Sequence, residues 1–158
     1  MKTTEHRALP SLETLQKLFS YDPLTGILRY KKNGKAVSQR HIYSKVKVEG
    51  HAYDAARVMW KMNTGNDPAE LVIDHINGNR CDNRAINHRL CTRKQNLQNR
   101  KKGKSNTSGY KGVTTTQKGK FIAQCSGKYI GSFDDAWSAS IAYRETAVKL
   151  HGEFYRYE

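Results

Sequence analysis

The chain has 158 residues, which is enough for one ordinary domain or two small ones. It contains no apolar run long enough to cross a bilayer, residues 1–15 lack the apolar core of a signal peptide, and the three cysteines show no C-x-x-C spacing. These features argue against a membrane protein, a structural zinc site and a disulfide framework. The net charge of +14 favours a polyanionic partner, with nucleic acid before an anionic membrane surface.

The first 70 residues predict a small unit of helices and short strands. Residues 1–9 are expected to fray, and a helix begins at Pro10-Ser11 and presents Leu18 and Phe19 on one face. The further predicted elements are a turn at 21–26 (YDPLTG), a strand at 27–30, a half-exposed strand at 45–49 and a helix at 53–63.

Residues 71–100, LVIDHINGNRCDNRAINHRLCTRKQNLQNR, gather the chemically active side chains. Their short apolar start predicts a buried strand that delivers Asp74 and His75 to its end. A polar loop rich in Asn and Gly follows, and then a second strand at 89–91 and a helix capped by Thr92. A histidine, a carboxylate and several carboxamides therefore lie within about one ββα unit.

Within this stretch the pattern D-H-I-N-G-N-x-x-D-N-R-x-x-N-x-R-x-x-T-x-x-Q-N-x-x-N resembles the HNH nucleases, in the variant whose third motif position is asparagine. The motif positions fall on His75, Asn87 and Asn96, 12 and 9 residues apart, a spacing that suits a strand, a loop and a helix. The preceding YDPLTG turn and aromatic-rich helix are similar to the lead-in of phage-type HNH proteins. His88 is a departure, because the family usually has leucine there, and we expect it to be an exposed or half-buried filler.

The resemblance implies a metal-dependent nuclease with His75 and Asn87 as catalytic residues and Asp74 and Asn96 as ligands of Mg²⁺ or Mn²⁺. His75 would act as the general base, since an unperturbed imidazole is half neutral near about pH 6.5. Asn87 would hold the loop and orient the His75 ring through a hydrogen bond. One carboxylate and one amide are a small set of hard ligands, which substrate phosphate would complete. The alternatives are a surface ion pair for Asp74 and His75, and a solvated helix face for Asn96 and Asn99.

A tract without acidic residues begins inside the motif. From Asn83 to Phe133 the sequence has no Asp or Glu, whereas Arg and Lys total twelve. A solvated surface normally mixes both signs, so the tract predicts contacts with phosphates. Residues 101–108 (KKGKSNTS) form a predicted basic linker that either follows a phosphate backbone or serves as a solvated hinge. The residues predicted to contact DNA up to this point are Arg84, Arg89, Arg93, Arg100, Lys101, Lys102 and Lys104.

Residues 109–158 predict three short strands followed by a helix. The strands are expected at 110–116, 120–126 and 128–131. An aspartate at position 134 or 135 then caps a helix, and small residues along one stripe of this helix would let it lie close against the sheet. Phe133 and Trp137 are expected in the core rather than as stacking platforms.

The segments SGYKGV, GKFIA, GKYIGSFDDA and SIAYRETAVKLHGEF resemble the ethylene-response-factor (Apetala-type) DNA-binding domain. That family lays a three-stranded sheet in the major groove. The positions that the resemblance implies on DNA are Lys111, Thr114, Thr116, Lys118, Lys120, Gln124, Ser126 and Tyr129, and Lys128 is a further predicted phosphate contact. Several of these are Arg or Trp in the plant proteins, so here the lysines would bind phosphates, whereas Thr114, Thr116 and Gln124 would contact base edges. The alternative is that these positions are ordinary exposed strand residues.

The sequence thus predicts an α+β protein with a ββα-metal HNH nuclease module at 1–100, the basic linker at 101–108, and an Apetala-type three-stranded antiparallel sheet packed on one helix at 109–158. We expect a site-specific endonuclease of the homing type, a phage protein that nicks double-stranded DNA as a monomer in the host cytoplasm or at the nucleoid. The alternatives are a catalytically inactive DNA-binding regulator, and an RNA-binding protein or RNase.

Overall fold

The computed structural model describes residues 7–38 and 44–156. The chain divides into two units, and the boundary falls between Asn96 and Leu97, a few residues before the predicted linker. Short helices and small antiparallel sheets make up both units, which confirms the mixed α+β class. The described helices include none that is long and apolar enough to span a bilayer. Of the residues expected to fray, 1–6 lie outside the described residues, whereas Leu9 is buried.

The first unit is built from two-stranded sheets and the helices between them. Its elements are α1 (Leu12–Leu18), β1 (Phe19–Asp22), β2 (Ile27–Tyr30), β3 (Lys45–Val48), β4 (His51–Asp54), α2 (Ala55–Thr64), β5 (Val72–His75), a short 3-10 helix (Ala85–Asn87), β6 (His88–Cys91) and the first four residues of α3 (Arg93–Gln98), within which the boundary falls. The strands pair as β1–β2, β3–β4 and β5–β6, and each pair is antiparallel. The largest side chains of its core are Leu15, Phe19, Leu28, Val58 and Met59.

Two helices differ in extent from the prediction because neighbouring residues enter strands. Phe19 begins β1 and is buried there, whereas Leu18, at the end of α1, is 41% exposed. Tyr53 pairs with β3 as part of β4, and the side chain of Asp54 caps α2, so this helix begins only at Ala55. At both places the pairing of strands overrides a local helical pattern.

The second unit is a three-stranded antiparallel sheet with a helix on one face. Its elements are β7 (Val113–Thr115), β8 (Phe121–Cys125), β9 (Lys128–Phe133), α4 (Ala136–His151) and a short 3-10 helix (Gly152–Phe154), with the strands in the order β7-β8-β9. Ala139, Tyr143 and Ala147 of α4 pack with the inward side chains of the sheet. The helix lies close because these residues are small or flat, and a Cβ atom added to Gly112 would lie only 2.1 Å from the Tyr143 ring.

Two expectations for this unit have different outcomes. Phe133 packs against the core, as predicted. The prediction that Trp137 is a core residue is wrong, because its side chain is 57% exposed. Trp137 precedes the buried Ala139 by two positions, and residues two apart on a helix face different sides.

The predicted linker is hydrogen-bonded into the second unit. Asn106 Nδ2 donates to Tyr110 O at 2.9 Å and to Val113 O at 3.1 Å. Ser108 Oγ also donates to Val113 O, at 2.8 Å. These bonds fix the approach of the chain to the first strand of the sheet.

Candidate active site

The β5–β6 hairpin carries the predicted catalytic residues beside the loop that joins its strands. In its register Asp74 lies opposite Arg89, and His75 lies opposite His88. Consecutive residues of a strand point to opposite faces, so these two cross-strand pairs occupy opposite faces of the hairpin. The site therefore has two clusters, one around His75 and one around the neighbouring Asp74.

The first cluster joins two histidines through one asparagine. The Nε2 atoms of His75 and His88 lie 3.0 and 3.3 Å from the Oδ1 atom of Asn83, and the two rings meet edge to face with centroids 4.9 Å apart. An amide oxygen only accepts hydrogen bonds, so each Nε2 carries a proton. The lone pair of the His75 ring therefore lies on Nδ1, as a proton-accepting imidazole requires.

The second histidine of this cluster is neutral. Burial, together with the neighbouring His75, lowers the pKa of His88 to about 4, and the charge of Asp82 opposes this shift. His88 is only 7% exposed, so the expectation of an exposed or half-buried filler is wrong. An imidazole with this pKa stays uncharged near neutral pH, and it adds no positive charge beside His75.

Asn83 is itself held by the turn at the start of the chain. Tyr21 Oη donates to Asn83 O at 2.8 Å, and Ala85 N donates to Pro23 O at 2.9 Å. Gly26 has a φ of +73°, and a Cβ atom there would lie 2.5 Å from the Asn83 carbonyl carbon. The YDPLTG turn thus packs directly against the backbone of the loop at Asn83, and only glycine at position 26 permits this close approach.

Tyr21 remains a hydrogen-bond donor throughout the ordinary pH range. Burial, with the adjacent Asp22 carboxylate, raises its pKa to about 12. Its hydroxyl therefore keeps the proton that it donates to Asn83 O near neutral pH.

The side chain of Asn87 holds the loop, as the resemblance implied. Its Oδ1 accepts from Asn77 N at 2.9 Å, and its Nδ2 donates to Asp82 O at 2.7 Å. The carboxamide that bonds to the ring of His75 is that of Asn83, which the sequence analysis did not single out. Its only signal was membership of the D-N-R segment of the motif, and its partners are eight and 62 residues distant in sequence.

The second cluster is an ion pair on the opposite face of the hairpin. Asp74 is 3% exposed, and its Oδ2 accepts from Arg89 Nε at 2.9 Å and from Arg89 Nη2 at 2.8 Å. Burial and then the charge of Asp74 raise the pKa of the Cys91 thiol to about 11, while Arg89 and the backbone N–H of Asn96 act in the opposite direction.

Asn96 is positioned by the start of α3. Thr92 Oγ1 accepts from Gln95 N at 3.2 Å, and Gln95 Oε1 accepts in return from Thr92 N at 2.8 Å, which is a capping box. Asn96 follows in the first turn, half-buried, with its N–H bonded to Thr92 O at 3.0 Å. Asn99, for which a solvated face was an alternative, is 4% exposed and lies beyond the end of the helix.

The oxygen atoms of Asp74 and Asn96 suit a hard divalent cation in kind. A Mg²⁺ ion commonly uses one or two protein oxygens and fills its remaining positions with water and phosphate. The described residues offer no group of three or more His, Cys, Asp and Glu side chains that could enclose a metal. Asp74 and Asn96 therefore have the chemical kind of ligand that an open cation site completed by substrate would use, and the described residues do not form a site made of protein ligands alone.

The arginines predicted to contact DNA in the first unit have different environments. Arg84 donates to Asp82 through Nε at 2.8 Å and Nη2 at 2.7 Å, and this pairing holds the pKa of the Asp82 carboxyl well below its usual range. Arg89 is bound to Asp74, and its side chain is only 13% exposed. Arg93, at the start of α3, is exposed.

In the second unit, the predicted base-contacting positions lie mainly on the sheet face opposite α4. Thr114, Gln124 and Tyr129 are exposed, and Tyr129 lies opposite Gln124 across the β8–β9 pair. Thr116 is half-buried, and its Oγ1 accepts from Lys120 N at 3.0 Å. The other exposed positions are Arg100, Lys101, Lys102, Lys104, Lys118 and Lys128.

Several predicted DNA contacts already have partners within the second unit, among them Lys102, whose Nζ donates to Gly109 O at 2.6 Å. Lys111 Nζ donates to Gln98 O at 2.9 Å, and Lys120 forms an ion pair with Asp134. Ser126 Oγ lies 2.9 Å from His151 Nε2. For these residues, DNA binding would have to compete with an existing partner.

Comparison with known proteins identifies the family. Residues 53–98 match the HNH endonuclease family, a range that includes both clusters of the site. "Protein 3.8" of Escherichia phage T7 is 35% identical to this chain over an alignment of 104 residues that covers 63% of this chain and 85% of that protein. No solved structure matches the chain. The chain therefore belongs to the family of phage protein 3.8 and carries an HNH endonuclease domain, which makes it, at the level of the family, a nuclease that hydrolyses phosphodiester bonds.

Proposed function

We propose that this protein is a metal-dependent, site-specific DNA endonuclease of the homing type that nicks double-stranded DNA as a monomer. The observation that carries the proposal is the 3.0 Å contact between His75 Nε2 and Asn83 Oδ1. It fixes the ring in the tautomer whose lone pair is on Nδ1, and that is the form of histidine that takes a proton from water.

In the proposed reaction, water attacks the phosphorus of one backbone diester. His75 Nδ1 takes a proton from this water as the new P–O bond forms, and one of the two ester P–O bonds breaks. The leaving oxygen is protonated to a hydroxyl group, and the imidazolium later returns its proton to solvent. Asn83 accepts from Nε2–H in both protonation states, so the ring keeps its orientation through the cycle.

Asp74 and Asn96 would hold the divalent cation, which we propose to be Mg²⁺ or Mn²⁺. When bound, such an ion neutralises the phosphate and stabilises the leaving oxygen. Arg89, through its two bonds to Oδ2, would fix the orientation of the Asp74 carboxylate. Asn87 would contribute indirectly, by holding the loop that carries Asn83.

The second unit would hold the target site as an Apetala-type DNA-binding domain. Its sheet has a face free of α4, on which Thr114, Gln124 and Tyr129 are exposed and could meet the edges of bases. Exposed lysines at 118 and 128 would contact phosphates beside them. One active site cuts one strand, so a monomer would nick the duplex. The reaction would take place in the cytoplasm of a phage-infected cell.

A plasmid assay tests this proposal. Supercoiled DNA carrying the sequences that flank the gene is incubated with the protein and Mg²⁺, with Mn²⁺, or with EDTA. We expect open circles only with metal, and loss of nicking by about 10²–10⁴-fold in His75→Ala with DNA binding unchanged. His51→Ala is the matched control, because His51 is an exposed histidine of β4 in the same unit. Equal nicking by the His75→Ala and His51→Ala proteins would overturn the role of His75.

The second candidate function is a catalytically inactive DNA-binding regulator. The observation in its favour is that Asp74, the one carboxylate of the predicted metal site, already carries two hydrogen bonds from Arg89. Under this alternative the same assay gives binding to the flanking sequences without cleavage by any of the proteins in either metal. Preference for a structured RNA over duplex DNA at matched salt would point to an RNA-binding protein instead.

A further inference from the structure

The second unit contains a cavity on its helix side, away from the sheet face discussed above. Its volume is about 320 Å³, near the lower end of the range of roughly 300–1,000 Å³ that pockets for small ligands occupy. It lies among α4, the segment that leads into β7 and the chain after the last 3-10 helix. The proposed nuclease chemistry uses none of the residues that line it.

Aromatic rings form much of the cavity wall. The rings of Tyr110 and Trp137 meet nearly edge to face with centroids 6.3 Å apart, and those of Tyr143 and Tyr155 do so at 6.4 Å. Trp137 is 57% exposed, so more than half of a large side chain that lines the cavity is accessible. An exposed tryptophan with no place in the core is a typical platform for stacking a planar ring.

The remaining charge of the wall is positive. The cations that line the cavity are Lys102, Lys111, Arg144 and Arg156, and the described lining residues include no acidic side chain. Lys111 Nζ is fixed in place, because it donates to Gln98 O at 2.9 Å and lies 5.8 Å from the centroid of the Tyr155 ring. A ligand that suits this wall has a flat ring and at least one anionic group.

We propose that this cavity binds one nucleotide, whose base stacks on Trp137 and whose phosphate contacts the surrounding cations. The faces of a base inside a duplex are covered by its neighbours, so the nucleotide must be unstacked. It could belong to single-stranded DNA or be a free mononucleotide, since both present the same base and phosphate. This inference goes beyond the proposed nuclease function, because it concerns a different face and a different form of nucleic acid.

Tryptophan fluorescence gives a direct test. The chain has two tryptophans, and Trp60→Phe leaves Trp137 as the sole tryptophan, whose emission is excited selectively beyond the absorption of the tyrosines. Among the described residues, Trp60 Nε1 is buried and has no hydrogen-bond partner, so replacing Trp60 with phenylalanine breaks no hydrogen bond of its indole. The single-tryptophan protein is titrated in EDTA with a 12-residue oligo(dT), with the corresponding duplex, and with dTMP. We expect the oligo(dT) to quench Trp137 more strongly than the duplex does, and quenching by dTMP alone would assign the cavity to a free nucleotide.

Substitutions then separate stacking from charge. Trp137→Ala should weaken binding of fluorescent oligo(dT) by about 5- to 150-fold, and Trp137→Phe should retain most of the affinity. Arg144→Gln should weaken it more than Lys149→Gln, a matched control that removes one exposed positive charge from the same helix outside the cavity. Circular dichroism establishes that each variant is folded.

The proposal is overturned if neither oligo(dT) nor dTMP changes the emission of Trp137. It is also overturned if Trp137→Ala binds as tightly as the parent protein, or if Arg144→Gln and Lys149→Gln behave alike. The readout needs neither metal nor cleavage, so a failure here is distinct from a failure of the nuclease proposal.

Discussion

Replacing Asn83 tests whether the asparagine positions the proposed general base. In Asn83→Ala the Nε2–H groups of His75 and His88 both lose the acceptor that they share. An unsatisfied buried donor costs about 1–3 kcal/mol, and since His75 is only half-buried, water can replace part of its loss. We therefore expect unfolding to become easier by about 1–3 kcal/mol, or about 4–8 °C in Tm for each kcal/mol.

The effect on cleavage should exceed the effect on binding. Without Asn83 the His75 ring loses both its fixed orientation and its fixed tautomer, and comparable losses of a supporting partner slow enzymes by about 10–100-fold. The measurement is the rate of plasmid nicking with enzyme in excess, beside a gel-shift titration of the same DNA. Asn63→Ala, an exposed asparagine of α2, is the matched control.

A second substitution at this position distinguishes positioning from a general loss of stability. Asn83→Asp keeps an acceptor for His75 but adds a negative charge beside the ring, which favours the imidazolium form. Because the base acts when unprotonated, the acid limb of the pH–rate profile should move to higher pH. If Asn83→Ala nicks at the parental rate, or if the Asn83→Asp profile does not move, the assignment of Asn83 is wrong.

Three further substitutions test packing and ionisation. Gly26→Ala should lower the free energy of unfolding of the first unit by about 2–5 kcal/mol, because the new Cβ would lie 2.5 Å from the loop backbone. Gly34→Ala, the control, has a similar positive φ but open space around it, and should cost only about 1–2 kcal/mol. Thermal unfolding measures both. Gly112→Ala should likewise destabilise the second unit more than Gly119→Ala, since only the former meets Tyr143; equal melting temperatures would contradict the close helix packing. The pKa of His88 falls from about 6.5 in the unfolded chain to about 4 in the folded protein. The free energy of unfolding is therefore unaffected by this group above pH 6.5, and it decreases by about 3 kcal/mol as the pH falls towards 4, because the folded state resists protonation of His88. Chemical denaturation at pH 7 and 4.5 should show that the free energy of unfolding decreases less in His88→Leu than in the parent protein. Equal decreases would refute the lowered pKa of His88 as the cause.

The sequence was most informative where the pattern is local. The apolar run at 71–73, the Thr92 cap and the motif spacing predicted the β5–β6 hairpin and α3 because each signal lies within a few residues of the structure that it specifies. The helical pattern at 53–63 includes Tyr53, but in the structure this residue pairs with β3. The local pattern does not indicate that pairing, because it depends on a separate strand. The burial of His88 and the exposure of Trp137 depend on which neighbours surround each residue, and residue type alone does not determine these.

Asn83 shows why the site itself was only partly predictable. The motif indicated that asparagines hold the loop, but it did not indicate which carboxamide faces His75. That choice follows from contacts with a distant turn, because Tyr21 bonds to the Asn83 carbonyl and Gly26 lies against the same backbone. A pattern within 30 residues contains no information about a partner 62 residues away.

The contact of Tyr21 and Gly26 with the backbone of Asn83 also explains why the YDPLTG turn and the HNH motif belong to one unit. The loop at 76–87 has little apolar content and could not hold a defined shape alone, so its geometry depends on internal carboxamide bonds and on the turn behind it. Substitution of Gly26 would therefore displace Asn83, and through it the His75 ring, without touching a residue that meets substrate. The orientation of the proposed base is thus set by the packing of the first hairpin, and stability and catalysis should fail together when that packing is disturbed.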